Sequence, residues 1–139
     1  MKQKKSLVAI LSYLAAAIFI FNGICKILNI LPDFDFMEKM NFSKPGSTDH
    51  IPAIIVGILE IAGAIGLIIP TSRATVSFLM ILLVVGAIGS EVGAGFQFTK
   101  VIAPAAVFVL LAAIAYYDNM IAAEEEEEEI EHRFDNVNQ

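Results

Sequence analysis

Four apolar runs, residues 7–25, 51–69, 74–90 and 101–117, take up more than half of the chain and constrain it more than any other feature. A helix of roughly 17 to 25 residues, rising about 1.5 Å per residue, crosses a hydrocarbon core ~30 Å thick. Each run is long enough, the last two only just. A soluble bundle would need a polar stripe along every helix, and these runs keep almost none. The 139 residues suffice for one domain, and 57% hydrophobic content with a mean hydropathy of +0.72 is too apolar for an ordinary water-soluble one. The expected fold is all-α: an integral membrane bundle of four transmembrane helices over residues 1–121. The spans are predicted at about 6–31, 51–70, 73–95 and 101–121, with an acidic tail over 122–139.

The start, "MKQKK" followed by an apolar run, imitates a secretory signal. The run continues to Ile24, too long for a cleaved segment, so an uncleaved membrane helix is predicted. Lys2, Lys4 and Lys5 precede the first span and Arg73 lies in the turn after the second, which puts them on one side of the bundle. Lys39, Lys44 and Lys100 on the other side are diluted among acids, so the positive-inside bias is small and places both termini in the cytoplasm. Tyr116 and Tyr117 fit an interfacial belt at that side.

Proline punctuates the spans: Pro32 follows the first, Pro52 opens the second, Pro70 closes it, and Pro104 falls in the first turn of the fourth. Thr71 or Ser72 can cap the third helix and Asp49 the second. The loop "PDFDFMEKMNFSKPGSTDH" exceeds what a turn needs, and Phe36, Met37 and Met40 share one face of a short helix, read as a passive interfacial helix or a lid. "NFS" at 41–43 is a sequon, a match that arises often by chance. The tail, "EEEEEEIEHRFD", is self-repelling and is expected to project as frayed helix or disorder, either simply solvated or docking a basic partner. His132 beside acids does not amount to a metal site.

One charge interrupts the second run. "GILEIAG", residues 57–63, carries Glu60 nine residues after Ile51, which is ~14 Å below the outer surface. An ionised carboxylate facing lipid at that depth costs several kcal/mol, so Glu60 is expected to face the bundle interior, protonated or paired. Asn22 lies one turn below Lys26 on the same face of the first span. Asn22 can donate to Glu60, and Lys26 can either turn inward to it or snorkel outward. Ala53, Gly57, Gly63 and Gly66 leave room around Glu60 for a neighbouring helix or a small ligand, as do Gly86, Gly89 and Gly93 in the third span. Glu91 and His50 are polar groups at the outer mouth. Two readings stay open: a structural polar cluster fixing helix register, or a ligand, quinone or proton site.

The segments "FIFNGICKI" and "GILEIAGAIGLIIPTSR" resemble the DoxX-like family of small four-helix membrane proteins. The family's Gly-x-x-Lys near the end of helix one is met by Gly23 and Lys26. Its Gly-x-x-Glu, followed by small residues, a Leu and a turn Arg, is met by Gly57, Glu60, Gly63, Leu67 and Arg73. The resemblance covers roughly residues 7–117 and implies association with membrane redox complexes and a bacterial plasma (inner) membrane as the location; the cofactor stays unknown, a bound quinone being one candidate and a partner subunit's group the other.

The single cysteine, Cys25, excludes a dithiol relay within the chain and reads as an apolar filler. No haem, flavin, metal or nucleotide motif is visible, and nothing points to nucleic acid. The chain therefore reads as a non-catalytic subunit rather than an autonomous oxidoreductase. Its expected partners are the lipid bilayer, a redox subunit and further copies of itself. The alternatives are a small-molecule carrier or receptor in which Glu60 exchanges a proton, and a structural assembly factor recruiting others through the tail.

Overall fold

The computed structural model describes residues 2–28, 30, 51–93 and 98–137. These form four helices and no strand: α1 (Lys2–Leu28), α2 (Ile51–Ile68), α3 (Arg73–Gly93) and α4 (Phe98–Val137). The predicted loop helix around Phe36, the sequon at Asn41, the Asp49 cap and His50 all lie outside the described residues.

Each helix packs on its neighbours in sequence, and α4 closes the ring against α1. At the centre lie Val8, Ala15, Ala16 and Phe19 of α1, Ala64 and Leu67 of α2, Met80 and Val84 of α3, and Leu111, Ile114 and Ile121 of α4. The outward faces are no more polar than this core. Leu7, Ile10, Leu14 and Phe21 line the exposed side of α1, Ile55, Ile58, Leu59 and Ile65 that of α2, and Phe78, Leu79, Leu82 and Val85 that of α3. Their spacing of three and four residues is one helical stripe each. The polar side chains go the other way: Ser12, Glu60, Arg73 and Ser77 are buried. Polar groups inside and apolar stripes outside is the reverse of a bundle made for water.

Two helices carry stretches long and apolar enough to cross a membrane, Gln3–Leu28 and Val101–Glu131. The apolar stretches of the other two, Ala53–Ile68 and Arg73–Gly89, are shorter.

Helix ends differ from the predicted spans by a few residues, for local reasons. The α1 helix stops at Leu28 rather than 31, and the Ile30 N–H donates to the Cys25 carbonyl at 3.1 Å, a bond reaching back five residues that closes a helix. The α2 helix stops at Ile68, two residues before Pro70. Ser72 works differently from the expected cap. Its carbonyl accepts the Val76 N–H at 2.9 Å and so begins α3, while its hydroxyl donates to Gly66 O at 2.9 Å and satisfies a terminal carbonyl of α2. One residue thus ties the end of α2 to the start of α3. Ser72→Ala is expected to cost about 1 kcal/mol, the net worth of such a bond, read as a lower thermal midpoint of the purified protein.

The α4 helix departs most from expectation. It begins at Phe98, so Pro104 is its seventh residue, inside the helix, where the missing N–H leaves one i−4 carbonyl without its usual donor. At the other end the helix does not fray after residue 121 but continues to Val137, 40 residues or ~60 Å in all. Helix elongation is far easier than nucleation, and the tail grows from a helix already packed in the bundle. Repulsion within the glutamate run is also relieved at its start, because Lys4 pairs with Glu124 and Lys5 with Glu125. Those pairs put the two terminal helices' outer ends at the same end of the bundle.

Candidate functional site

Contacts between α1 and α2 centre on two glycines. A β-carbon added to Gly23 would lie 2.7 Å from Gly57 O and 2.8 Å from Ile61 Cγ1, and one added to Gly57 would lie 2.7 Å from Gly23 O and 3.0 Å from Ile27 Cγ1. Residue numbers rise along one helix as they fall along the other, so the helices run antiparallel. Backbones this close tolerate only glycine at the crossing.

Three residues beyond each glycine stands an ionisable side chain: Lys26 in α1 and Glu60 in α2. Because the helices are antiparallel and Lys26 Cβ lies beside Gly57, Glu60 is offset from Lys26 by only about 4.5 Å along the axis, three residues of helical rise. Side chains on a helix lean toward its N-terminus, so Lys26 leans back toward the crossing and Glu60 does the same from the other side. They meet there, and Lys26 Nζ donates to Glu60 Oε1. Gly57 clears the lane, since its missing β-carbon would sit 3.3 Å from Lys26 Cβ.

The pair is asymmetric. The Glu60 side chain is 4% exposed and that of Lys26 20%. Glu60 Oε2 is buried and has no hydrogen-bond partner among the described residues, so one carboxylate oxygen is engaged and the other is not. Ser12 Oγ and Ser77 Oγ are likewise buried without partners.

Of the residues singled out in the sequence, Lys26, Glu60 and Gly57 come together as one cluster. Asn22, half-buried on α1 and able in principle to donate to Glu60, makes no hydrogen bond to it in this arrangement. Gly63 lies one turn further along α2 but leaves no room for a ligand, because Met80 of α3 fills the space: a β-carbon there would collide with Met80 Sδ. Gly66 receives Val76 in the same way, its β-carbon falling 2.7 Å from Val76 Cγ2. Gly86, Gly89 and Gly93 belong to no site around Glu60. They lie exposed, and a β-carbon on any of them would meet nothing within 4 Å. Glu91 lies in α3, and His50 is outside the described residues. Cys25 is buried, one residue before Lys26.

A second polar cluster, absent from the sequence reading, sits at the end of the bundle where α1 begins. Arg73, the first residue of α3, is 8% exposed. Its Nε donates to Leu67 O at 3.1 Å and its Nη1 to Asp118 Oδ1 at 3.3 Å, joining the α2–α3 turn to α4. The Lys4 and Lys5 pairs with Glu124 and Glu125 lie in the same region. The available signal was the clustering of cations before α1 and in the turn, with acids just after the last apolar run. Beside this cluster Tyr116 points outward, its ring edge-on to that of Tyr117 with centroids 5.5 Å apart. Among the described residues no three His, Cys, Asp or Glu side chains are grouped as a metal ion would need.

Comparison with known families gives one match: a family model described as the DoxX-like family aligns with residues 10–114. That range includes both Gly-x-x-Lys and Gly-x-x-Glu. No curated protein matches the chain, and no solved structure does.

Proposed function

The chain belongs to the DoxX-like family, and from that premise we propose that it is a multi-pass protein of the bacterial inner membrane that serves as a non-catalytic, anchoring subunit of a membrane redox system. Membership suggests a membrane protein. The apolar outward stripes of the helices and the inward Ser12, Glu60, Arg73 and Ser77 support four crossings with both termini on the cytoplasmic side. The second and third crossings are short but close to what the hydrocarbon core needs: at 18 and 21 residues, α2 and α3 span ~27 and ~32 Å.

The observation that carries the proposal is the Lys26–Glu60 pair at the Gly23–Gly57 crossing. Such a pair fixes the register of α1 on α2 inside lipid, where a misplaced charge is costly. It gives a bundle rigid enough to hold a partner subunit. The redox assignment itself rests on the resemblance to the family. A quinone supplies two-electron, two-proton chemistry where it binds, and Glu60 Oε2 is an acceptor suited to a hydroxyl. On the sides where small residues were expected to admit a ring, however, Ile27, the Lys26 stem and Met80 fill the space. The residues there do not fit the group, and no electron-transfer step is assigned to this chain.

The unpartnered Oε2 favours one second reading, a carrier in which Glu60 exchanges a proton with its cargo. Both are tested by mild extraction of the tagged protein from its own membranes, with mass spectrometry of co-purifying proteins and small molecules for wild type and Glu60→Gln. A redox enzyme retained by the wild type and lost from the variant is the expected result. A small acid that co-purifies with the wild type and not with the variant, with no partner protein in either preparation, would favour the carrier instead.

A further inference from the structure

At the end of the bundle that carries the chain termini, α1, the α2–α3 turn, α3 and α4 enclose a half-open cleft of about 350 Å³, lined by Lys5, Pro70, Arg73, Asp118, Ile121 and Glu125 among others. Its volume lies at the small end of pockets that take small molecules. Resting on the membrane reading above, we infer that this cleft binds a group carrying both a phosphate and a primary ammonium, the phosphoethanolamine headgroup of a membrane lipid being the occupant in place.

The charges select this chemistry. Among the described residues two cations and two carboxylates line the cleft, so a purely anionic headgroup would face Asp118 and Glu125, and a purely cationic one would face Lys5 and Arg73. A zwitterion meets both signs. The inner pair is held in place: Arg73 and Asp118 have side chains only 10% and 17% exposed, and Arg73 is pinned by the Leu67 carbonyl. Those contacts use two of the five N–H donors of the guanidinium, and a planar fork of this kind suits a phosphate. The outer pair is loose. Lys5 and Glu125 are 50% and 51% exposed, and an exposed ion pair opens at little cost. Opened, it offers Glu125 to an ammonium and Lys5 to a phosphate.

A primary ammonium is favoured over a quaternary one because carboxylates reward N–H donors, and among the described residues the lining includes no aromatic ring of the kind that cages choline. The apolar part of the lining pairs the exposed Pro70 with the buried Ile121, and the exposed Tyr116 lies about one turn away along α4.

The test uses the full chain in nanodiscs of equal parts phosphatidylethanolamine, phosphatidylglycerol and phosphatidylcholine with matched acyl chains, released for native mass spectrometry. Retention of phosphatidylethanolamine about tenfold over each of the others is expected, the factor that one charged hydrogen bond confers. Glu125→Gln, an exposed change that leaves the fold intact, should abolish the preference for phosphatidylethanolamine over phosphatidylcholine at an unchanged thermal midpoint. Displacement of the adduct by millimolar free O-phosphoethanolamine would mean that the headgroup alone is read. Absence of displacement with the preference intact would mean that the acyl chains contribute. Equal retention of the three lipids, preference for phosphatidylglycerol, or a preference over phosphatidylcholine surviving in Glu125→Gln would overturn the inference. The membrane reading fails separately, through a chain that stays soluble without detergent or lipid.

Discussion

Replacing Lys26 by methionine will destabilise the bundle by about 3 kcal/mol, toward the lower end of what breaking a buried ion pair costs. The change keeps the length of the stem that fills the lane beside Gly57 and removes the ammonium. Glu60, 4% exposed, is then left with neither oxygen partnered. The estimate stays low because Lys26 is 20% exposed and its own removal relieves a desolvated cation. Glu60→Gln should cost less, because the amide carbonyl still accepts from Lys26 and the side chain left buried there is neutral. Chemical or thermal unfolding of the protein in one detergent, followed by helical circular dichroism, gives both values.

The second large effect belongs to the crossing itself. Gly57→Ala places a methyl group 2.7 Å from Gly23 O, and that contact is with backbone, which cannot rotate aside. Overpacking of this kind costs about 1–3 kcal/mol, and the upper part of that range is expected here because Ile27 and Lys26 crowd the same methyl. Gly57→Leu should separate α1 from α2 and break the Lys26–Glu60 contact with it. Gly86→Ala is the control. Its β-carbon meets nothing within 4 Å, and it should leave the midpoint unchanged or raise it slightly.

How far the sequence could be read depended on what each residue's environment is set by. The four helices were legible because an apolar run of twenty residues has few alternatives. Glu60 was legible as an inward-facing group because a carboxylate in such a run must turn inward, whereas for Lys26 the sequence left both turning inward and snorkelling outward open. Which glycines lie at a crossing was not legible. In α2 and α3 apolar residues occupy every face, so periodicity cannot tell inside from outside, and Gly63 and Gly86 look alike until Met80 is seen against one and nothing against the other. The Arg73–Asp118 pair was hidden for another reason: it joins residues 45 apart, and only the packing of α3 on α4 brings them within reach. The tail was misjudged because local repulsion among glutamates was weighed without Lys4 and Lys5, which lie 120 residues earlier in the chain.

Lys26 and Glu60 act as one unit in the interior of the bundle. A double-mutant cycle tests it directly, comparing Lys26→Met, Glu60→Leu and the two together in the same detergent. The pair predicts strong coupling: the double variant should lose about 2 kcal/mol less than the sum of the two singles. Losses that simply add, to within about 0.5 kcal/mol, would mean that the two side chains do not meet, and that the charge in "GILEIAG" is held by something else.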